Sequence, residues 1–310
     1  MTSSTSSFVR AVRSRFTQYS KILYFLTRNP LSTVGLVITL FYVLLAIFGP
    51  ILVGGNPEFM REILYYKGQY IYNTPLPPQL SFPFGTTYGG YDIFNGVVKG
   101  ARIDLEVSAL VVFSGAIIGS ILGAIAGYVG GSVSEVIMRI TDIFLSIPFI
   151  VLAVVLLLVL GRTLTSMVEA LVIVWWPTYT RLVRGQVLTT REHKYVEASI
   201  AAGASPFRTV VKHILPNSIY PIYVQMSLDF GNVILTLASL DFLGFGFAGK
   251  NLAEWGNIIG LATAGGGGIE TITSYWWTIL IPGLALLILV VSLNILGDGV
   301  RDITDPKYRM

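Results

Sequence analysis

Long apolar runs with almost no charge constrain this chain more than any other feature of its sequence. Apolar residues make up 53% of the 310 residues and charged residues only 12%, whereas soluble domains carry about 25% charged residues. Since roughly 20 apolar residues in a helix cross the hydrocarbon core of a bilayer, we expect an all-α, polytopic membrane protein. Six spans are predicted: Thr33–Val53, Leu105–Val129, Ile143–Gly161, Leu164–Thr180, Ile219–Phe245 and Trp277–Leu296.

Lysine and arginine predict the orientation of these spans, because short loops on the cytoplasmic side are enriched in them. Of the 21 Lys and Arg residues, 15 precede the first span, follow the last, or lie in the loops after spans two and four. Both chain ends and those loops are therefore expected in the cytoplasm, and the protein in the cell (plasma) membrane. The other six are Arg61, Lys67, Lys99, Arg102, Arg162 and Lys250.

The spans divide the chain into five predicted regions. Residues 1–32 form a cytoplasmic tail that includes an amphipathic helix at Phe16–Thr27. The first transmembrane helix (33–53), an extracellular segment (54–104), a transmembrane core (105–299) and a cytoplasmic tail (300–310) follow. The core contains a cytoplasmic loop at about 181–218.

The stretch KYVEASIAAGASPFRTVVKHILPNS (Lys194–Ser218) lies in that loop and is too polar to be a span. Together with the residues back to Arg181 it carries six Lys and Arg, which would cost roughly 15–20 kcal/mol at the centre of a bilayer. Its composition nevertheless favours helix. Alanine and serine are frequent in it, and such small side chains allow another surface to approach closely. We therefore predict a docking element on the cytoplasmic side.

Local signals predict two short helices in this stretch. Gly203 is expected to end the first helix, since glycine adopts the left-handed capping conformation at little cost. Ser205 suits the N-cap of the second helix and Pro206 its first position. Pro216 and Asn217 are expected to end that second helix.

The same stretch resembles the cytoplasmic EAA loop of ABC-importer permeases. Glu197, Ala198, Gly203, Leu215 and Pro216 match that pattern, while Ser199 replaces its second alanine and His213 an isoleucine. In that family the loop carries a coupling helix that docks in a cleft of an ATPase subunit. The resemblance therefore implies these ATPase-coupling residues: Glu197, Ala198, Ser199, Gly203, Ala204, Ser205, Pro206 and Phe207.

Other stretches, in the same order along the chain, resemble C-type permeases of the dipeptide, oligopeptide and nickel importer family. FPFGTTYGGYDIFNGVVKGARIDL (Phe82–Leu105) is similar to their outer segment, although Thr87 and Tyr91 depart from the usual Asp and Arg. PGLALLILVVSLNILGDGVRDITDPKYR is similar to their C-terminus. From about residue 29 onward, the chain is identified as a member of that family.

The resemblance implies a permease subunit of an ATP-driven importer, and not an enzyme. It implies a B-type permease as heterodimer partner, two ATP-binding subunits, an extracellular substrate-binding protein, and no nucleic acid. ATP and Mg²⁺ are expected on the partner subunits and no cofactor on this chain. GFGFAGKN (Gly244–Asn251) nearly spells a phosphate-binding loop, but Asn251 lacks the hydroxyl that would hold Mg²⁺. Peptides are the expected solutes, with oligosaccharides or nickel chelates as alternatives.

Two acidic residues, Asp229 and Asp241, lie in or near the fifth span. A carboxylate inside a membrane is costly and is expected to face protein or a water-lined path. Two interpretations stay open: a lining of the translocation path that meets a polar or cationic solute, or, for Asp241 especially, a buried, hydrogen-bonded carboxylate at a helix end. The alternative function, a stand-alone secondary transporter or channel, would use these carboxylates for ion coupling. With no cysteine and two histidines, a metal site is not expected.

A stripe of glycines in the second span is the clearest packing signal. Glycine recurs every four residues, so these positions share one helix face. Small residues on one face allow close helix packing in membranes. The stripe, predicted to be an internal contact, consists of Gly115, Gly119, Gly123 and Gly127.

Overall fold

The computed structural model describes residues 27–247, 251–264 and 273–304. Helices make up most of these residues, as predicted, and a small antiparallel hairpin joins β1 (Tyr65–Tyr66) to β2 (Gln69–Tyr70). Nearly all of the predicted amphipathic helix at Phe16–Thr27 and part of GFGFAGKN lie outside the described residues. The helices are α1 (Pro30–Val53), α2 (Ile93–Val129), α3 (Gly131–Ser146), α4 (Phe149–Leu160), α5 (Leu164–Arg191), α6 (Lys194–Ala201), α7 (Pro206–Thr209), α8 (Leu215–Ser218), α9 (Tyr220–Phe242), α10 (Trp255–Ala264) and α11 (Trp277–Thr304).

Three helices in the described ranges, α1, α2 and α11, are long and apolar enough to cross a membrane, and the bent pair α3–α4 makes a fourth if it counts as one span. Helices α5 and α9 have 28 and 23 residues, or about 42 and 35 Å at 1.5 Å per residue, so they are long enough but more polar. The number of six spans therefore stays a prediction. Helix α2 begins 12 residues before the predicted second span, because Asp92 caps it by accepting hydrogen bonds from the N–H groups of Phe94 and Asn95.

The third predicted span, Ile143–Gly161, is not one continuous helix, and its crossing of the membrane stays a prediction. The chain bends by 93° between α3 and α4. Pro148 has no N–H and disfavours helical geometry at the preceding residue, and Ile147 is accordingly extended (φ −92°, ψ 132°). With 12 residues, α4 is about 18 Å long, too short to cross about 30 Å of hydrocarbon alone.

The glycine stripe of α2 packs against α5, which confirms its predicted role. A Cβ added at Gly123 would lie 2.6 Å from the carbonyl oxygen of Thr180, and one at Gly127 would lie 2.8 Å from the Cβ of Val187. Each step of four residues along α2 matches a step of four along α5, so the two helices run parallel. The α3–α4 pair must therefore return the chain across the bundle between them.

Helix directions place three regions at the same end of the bundle. Helices α1 and α11 are antiparallel, since the Thr39 hydroxyl bonds that of Ser292 at 3.2 Å and the Tyr42 hydroxyl donates to the Ala285 carbonyl at 3.0 Å. The end of α1 approaches the start of α2, where a Cβ on Gly49 would lie 2.7 Å from Val98. The start of α1, the end of α11 and the α6–α8 region consequently share one end, called here the loop end. The segment between α1 and α2, with its hairpin, lies at the opposite end.

Candidate functional site

The Lys194–Ser218 segment folds as two helical pieces around a glycine, as its sequence predicts. Gly203 has a positive φ of 82°, and its N–H donates to the carbonyl of Ile200 while the N–H of Ala204 donates to that of Ser199. This pair of bonds satisfies the last carbonyls of α6 in a Schellman motif. The Ser205 hydroxyl then caps α7 by accepting from the N–H of Arg208 at 3.4 Å.

The second piece ends at Ser218, one residue beyond the predicted end at Pro216 and Asn217, but it is not a regular α-helix throughout. A π-helical turn, Val210–Ile214, connects α7 to α8, and α8 extends to Ser218. The wider turn accommodates a proline that would clash with the carbonyl four residues earlier in an α-helix. Asn217 stabilises the irregular turn by donating from Nδ2 to the His213 carbonyl at 2.6 Å.

One side of the segment is anchored to the bundle. Val196, Thr209 and Ile214 are fully buried, and Val196 and Ile214 belong to an apolar cluster that includes residues of α2 and α5. The hydroxyl of Ser218 lies 3.0 Å from that of Thr190, near the end of α5. Movement of the segment would therefore be transmitted to α5.

The other side of the segment, called here the exposed face, is open. Phe207 lies at the centre of this face and is 78% exposed. Apart from the chain neighbours of Gly203, no atom of the described residues lies within 4 Å of a Cβ added there. Exposed apolar side chains surrounded by small residues are typical of an interaction surface. The eight residues predicted for coupling all lie here: Glu197, Ala198, Gly203, Ser205, Pro206 and Phe207 are exposed, while Ser199 and Ala204 are half-buried.

A second feature is a cavity of about 850 Å³ between α9, α5 and the α3–α4 bend. Asp229 lines it and is only 4% exposed. Its Oδ1 accepts a hydrogen bond from Gln225 Nε2 at 3.0 Å. Pro148, at the bend, lies in the opposite wall. The cavity is thus formed where the bend between two helices faces the carboxyl of Asp229.

Polar residues on α9 extend along this cavity, and sequence reasoning missed them. Successive residues of this set are four, three, four and three positions apart, which is the spacing of one helix face. This period was visible in the sequence, but the element that this helix face contacts was not. The residues are Gln225, Asp229, Asn232, Thr236 and Ser239.

Asp241 lies elsewhere, near the end of α9. It is 12 residues from Asp229, or about 18 Å along the helix, and it is not among the residues that line the cavity. Its Oδ1 accepts from the N–H of Phe247 at 2.8 Å, so it closes the turn after α9. The structure therefore separates the two carboxylates that the sequence analysis paired as candidate path residues.

Glu254 is a buried carboxyl that sequence reasoning did not single out. It begins α10 by accepting hydrogen bonds from the N–H groups of Gly256 and Asn257, at 2.8 and 2.6 Å. Burial, and then the charge of the nearby Asp104, raise the pKa of Glu254 from 4.5 to about 8, although these two hydrogen bonds lower it. At neutral pH the side chain is therefore mainly protonated.

The raised pKa of Glu254 predicts a pH-dependent stability. Between about pH 4.5 and pH 8 the folded chain binds a proton that the unfolded chain does not, so the free energy of unfolding falls as pH rises. The decrease is at most about 1.4 kcal/mol per pH unit for one group. Thermal unfolding in lipid nanodiscs should show lower stability at pH 8.5 than at pH 6, and Glu254→Gln should reduce that difference.

Glu106 supplies the matched control for this measurement, because it is an exposed carboxylate paired with Arg102 at 3.5 Å. Glu106→Gln should retain the pH dependence of the wild type. An unchanged pH dependence in Glu254→Gln would contradict the assignment to Glu254.

Known proteins resemble the chain over most of its length. Residues 119–310 match the family described as "Binding-protein-dependent transport system inner membrane component", and residues 17–78 match "N-terminal TM domain of oligopeptide transport permease C". The "Probable D,D-dipeptide transport system permease protein DdpC" of Escherichia coli is 37% identical over 99% of this chain and 98% of its own length. The "Dipeptide transport system permease protein DppC" of Alkalihalophilus pseudofirmus is 38% identical over 92% of this chain and 88% of its own.

A solved structure shares the fold. A chain of the inward-facing MetNI methionine ABC transporter superimposes with a TM-score of 0.53 at 23% identity, and the match covers 67% of this chain and 96% of that chain. At this identity the likeness concerns the fold alone.

Proposed function

Since the chain belongs to the family of binding-protein-dependent transport system inner membrane components, we propose that it is the C-type permease subunit of an ATP-driven importer of short peptides. The relatives of similar length are dipeptide transport permeases, which supports peptides over oligosaccharides as the solute. The pathway forms with a B-type permease. Two ATP-binding subunits on the cytoplasmic side supply the energy, and an extracellular binding protein delivers the solute.

The exposed face of the Lys194–Ser218 segment is the observation that carries this proposal. Phe207 and the small residues around it form a surface that a cleft on another protein could enclose. The buried side of the same segment is attached to α5 through Thr190 and Ser218. Closure of the ATPase subunits would move this segment, and α5 would move with it. The bundle would move as a rigid unit and change the side of the membrane to which the path opens.

The geometry of the bundle supports a cytoplasmic loop end. The start of α1, the end of α11 and the Lys194–Ser218 segment share that end, and these are the regions that contain most of the Lys and Arg residues. Since Lys and Arg are enriched on the cytoplasmic side of membranes, the charge bias favours a cytoplasmic location for all three regions. The segment between α1 and α2 then faces the binding protein outside.

Purification of the tagged chain from its native membranes tests the proposal. We expect it to bring down a second permease and an ATPase, and the reconstituted complex to accumulate a labelled dipeptide only with ATP and the binding protein. The proposal fails if the chain purifies alone and moves solute into vesicles without ATP. That outcome would favour the secondary-transporter alternative.

A further inference from the structure

We propose that the cavity lined by Asp229 binds the ammonium group of the solute during its passage. The inference deepens the proposed function, since it names a chemical group that the permease itself recognises. It concerns the site between α9 and the α3–α4 bend, whose lining residues do not include any residue of the exposed face.

The dimensions of the cavity suit a small solute. Its volume of about 850 Å³ lies within the range of roughly 300–1,000 Å³ that is usual for ligand pockets. It lies beside the break in a membrane helix, where backbone groups that would otherwise be paired become available to a ligand. The first N–H groups of α4 lack partners within that helix, and among the described residues no side chain caps them.

Asp229 provides a reason for a cation to bind there. Its Oδ2 is buried and has no hydrogen-bond partner among the described residues. Four neutral donors lie near the carboxyl, the side chains of Tyr179, Gln225, Asn232 and Trp175, but none of them supplies a countercharge. Of the described side chains that line the cavity, Asp229 alone is acidic or basic. A buried carboxylate without a countercharge is costly, and an incoming ammonium group would supply that charge.

An ammonium group fits this site better than a metal ion does. Metal ions in proteins are held by several ligands in a defined geometry, and the described residues contain no group of three metal-ligating side chains. Besides one carboxylate, the cavity offers neutral amides and hydroxyls from Gln225, Asn232 and Thr236. These can accept or donate hydrogen bonds, which suits the remaining polar groups of a peptide.

The absence of cysteine from the chain permits a test that needs neither ATP nor transport. A single thiol is introduced into the cavity wall as Asn232→Cys, one helical turn from Asp229, and in a second variant as Thr178→Cys, within the assembled complex in nanodiscs. The rates of modification by a cationic and an anionic methanethiosulfonate reagent are compared by mass spectrometry of this chain. We expect Asp229→Asn to lower the cationic-to-anionic rate ratio about tenfold, the order expected for removing a unit charge a few ångströms away.

Asp241→Asn is the matched control, because it removes a carboxylate from the same helix outside the cavity lining. It should leave the rate ratio unchanged. The proposal is overturned if Asp229→Asn does not change the ratio or if Asp241→Asn lowers it equally. It is also overturned if neither thiol reacts with either reagent, since an ammonium group could not then enter.

Uptake by the reconstituted complex identifies the source of the ammonium group. Asp229→Asn should lower the ratio of alanyl-alanine uptake to N-acetyl-alanyl-alanine uptake about tenfold. The wild type and the variant use the same binding protein, so the preference of the binding protein cancels from this comparison. A parallel reduction for N-acetyl-lysyl-alanine would extend recognition to side-chain ammonium groups. Equal reductions for all three peptides would contradict the proposal. If the wild type moves no peptide with ATP, the proposed function fails, whereas the thiol result stands by itself.

Discussion

Gly203→Arg is expected to abolish co-purification of the ATPase subunit while the chain remains in the membrane. Among the described residues no atom lies within 4 Å of the Cβ position, so the new side chain projects outward and does not disturb the bundle. In the docked complex it would place an unpaired charge in the interface, which typically costs 2–5 kcal/mol or more. Since about 1.4 kcal/mol is tenfold in affinity, binding should fall by at least about 30-fold, and ATP-driven uptake with it.

The control for this change is Gly203→Asn, since φ at Gly203 is +82°. Any other residue there is strained, but asparagine tolerates left-handed geometry better than most. Gly203→Asn should therefore keep the ATPase bound. Retention of the ATPase and of uptake by Gly203→Arg would show that the exposed face is not the dock. Loss of both in Gly203→Asn would assign the effect to the backbone instead.

Gly119→Leu is expected to prevent stable folding of the bundle. A Cβ at Gly119 would lie 2.6 Å from the carbonyl oxygen of Trp176 and 2.9 Å from the N–H nitrogen of Thr180. Both are backbone atoms of α5, which cannot rotate away as a side chain can, so α2 and α5 would have to separate. Overpacking of this kind costs about 3 kcal/mol or more. The yield of monodisperse protein in detergent and its unfolding temperature should both fall sharply.

Gly185→Leu is the matched substitution for Gly119→Leu. Gly185 lies in α5 as Gly119 lies in α2, but among the described residues no atom comes within 4 Å of its Cβ position. Leucine also has a higher helix propensity than glycine, so the variant should be at least as stable as the wild type. Equal stability of the two leucine variants would refute the account of the glycine stripe.

Local features were readable from the sequence wherever neighbouring residues decide the outcome. The turn at Gly203 followed from glycine's access to positive φ, and the start of α7 from Ser205 and Pro206. The glycine stripe of α2 followed from a period of four residues. The bend at Pro148 was not expected inside the third predicted span, because residues 143–147 and 149–153 are both mostly apolar and only the backbone geometry changes between them.

Only part of the candidate cavity could be predicted from the sequence. Asp229 was selected because a carboxylate in an apolar span is costly, but the same argument selected Asp241, which the structure places outside the cavity. The alternative of a buried, hydrogen-bonded carboxylate at a helix end was offered for Asp241 especially, and the structure confirms it there. What differs is the neighbouring element: the α3–α4 bend faces Asp229, whereas the turn to Phe247 covers Asp241.

The sequence by itself determined that this chain lies in a membrane, that it is helical, and that Lys194–Ser218 forms an exposed helix–glycine–helix segment. These properties depend on transfer free energies and on backbone preferences within a few residues. The tertiary structure alone decided that α2 and α5 run parallel, that Glu254 is buried near Asp104, and that Asp229 faces a cavity. Such relations join residues far apart in the chain, and they arise only when whole helices pack against one another.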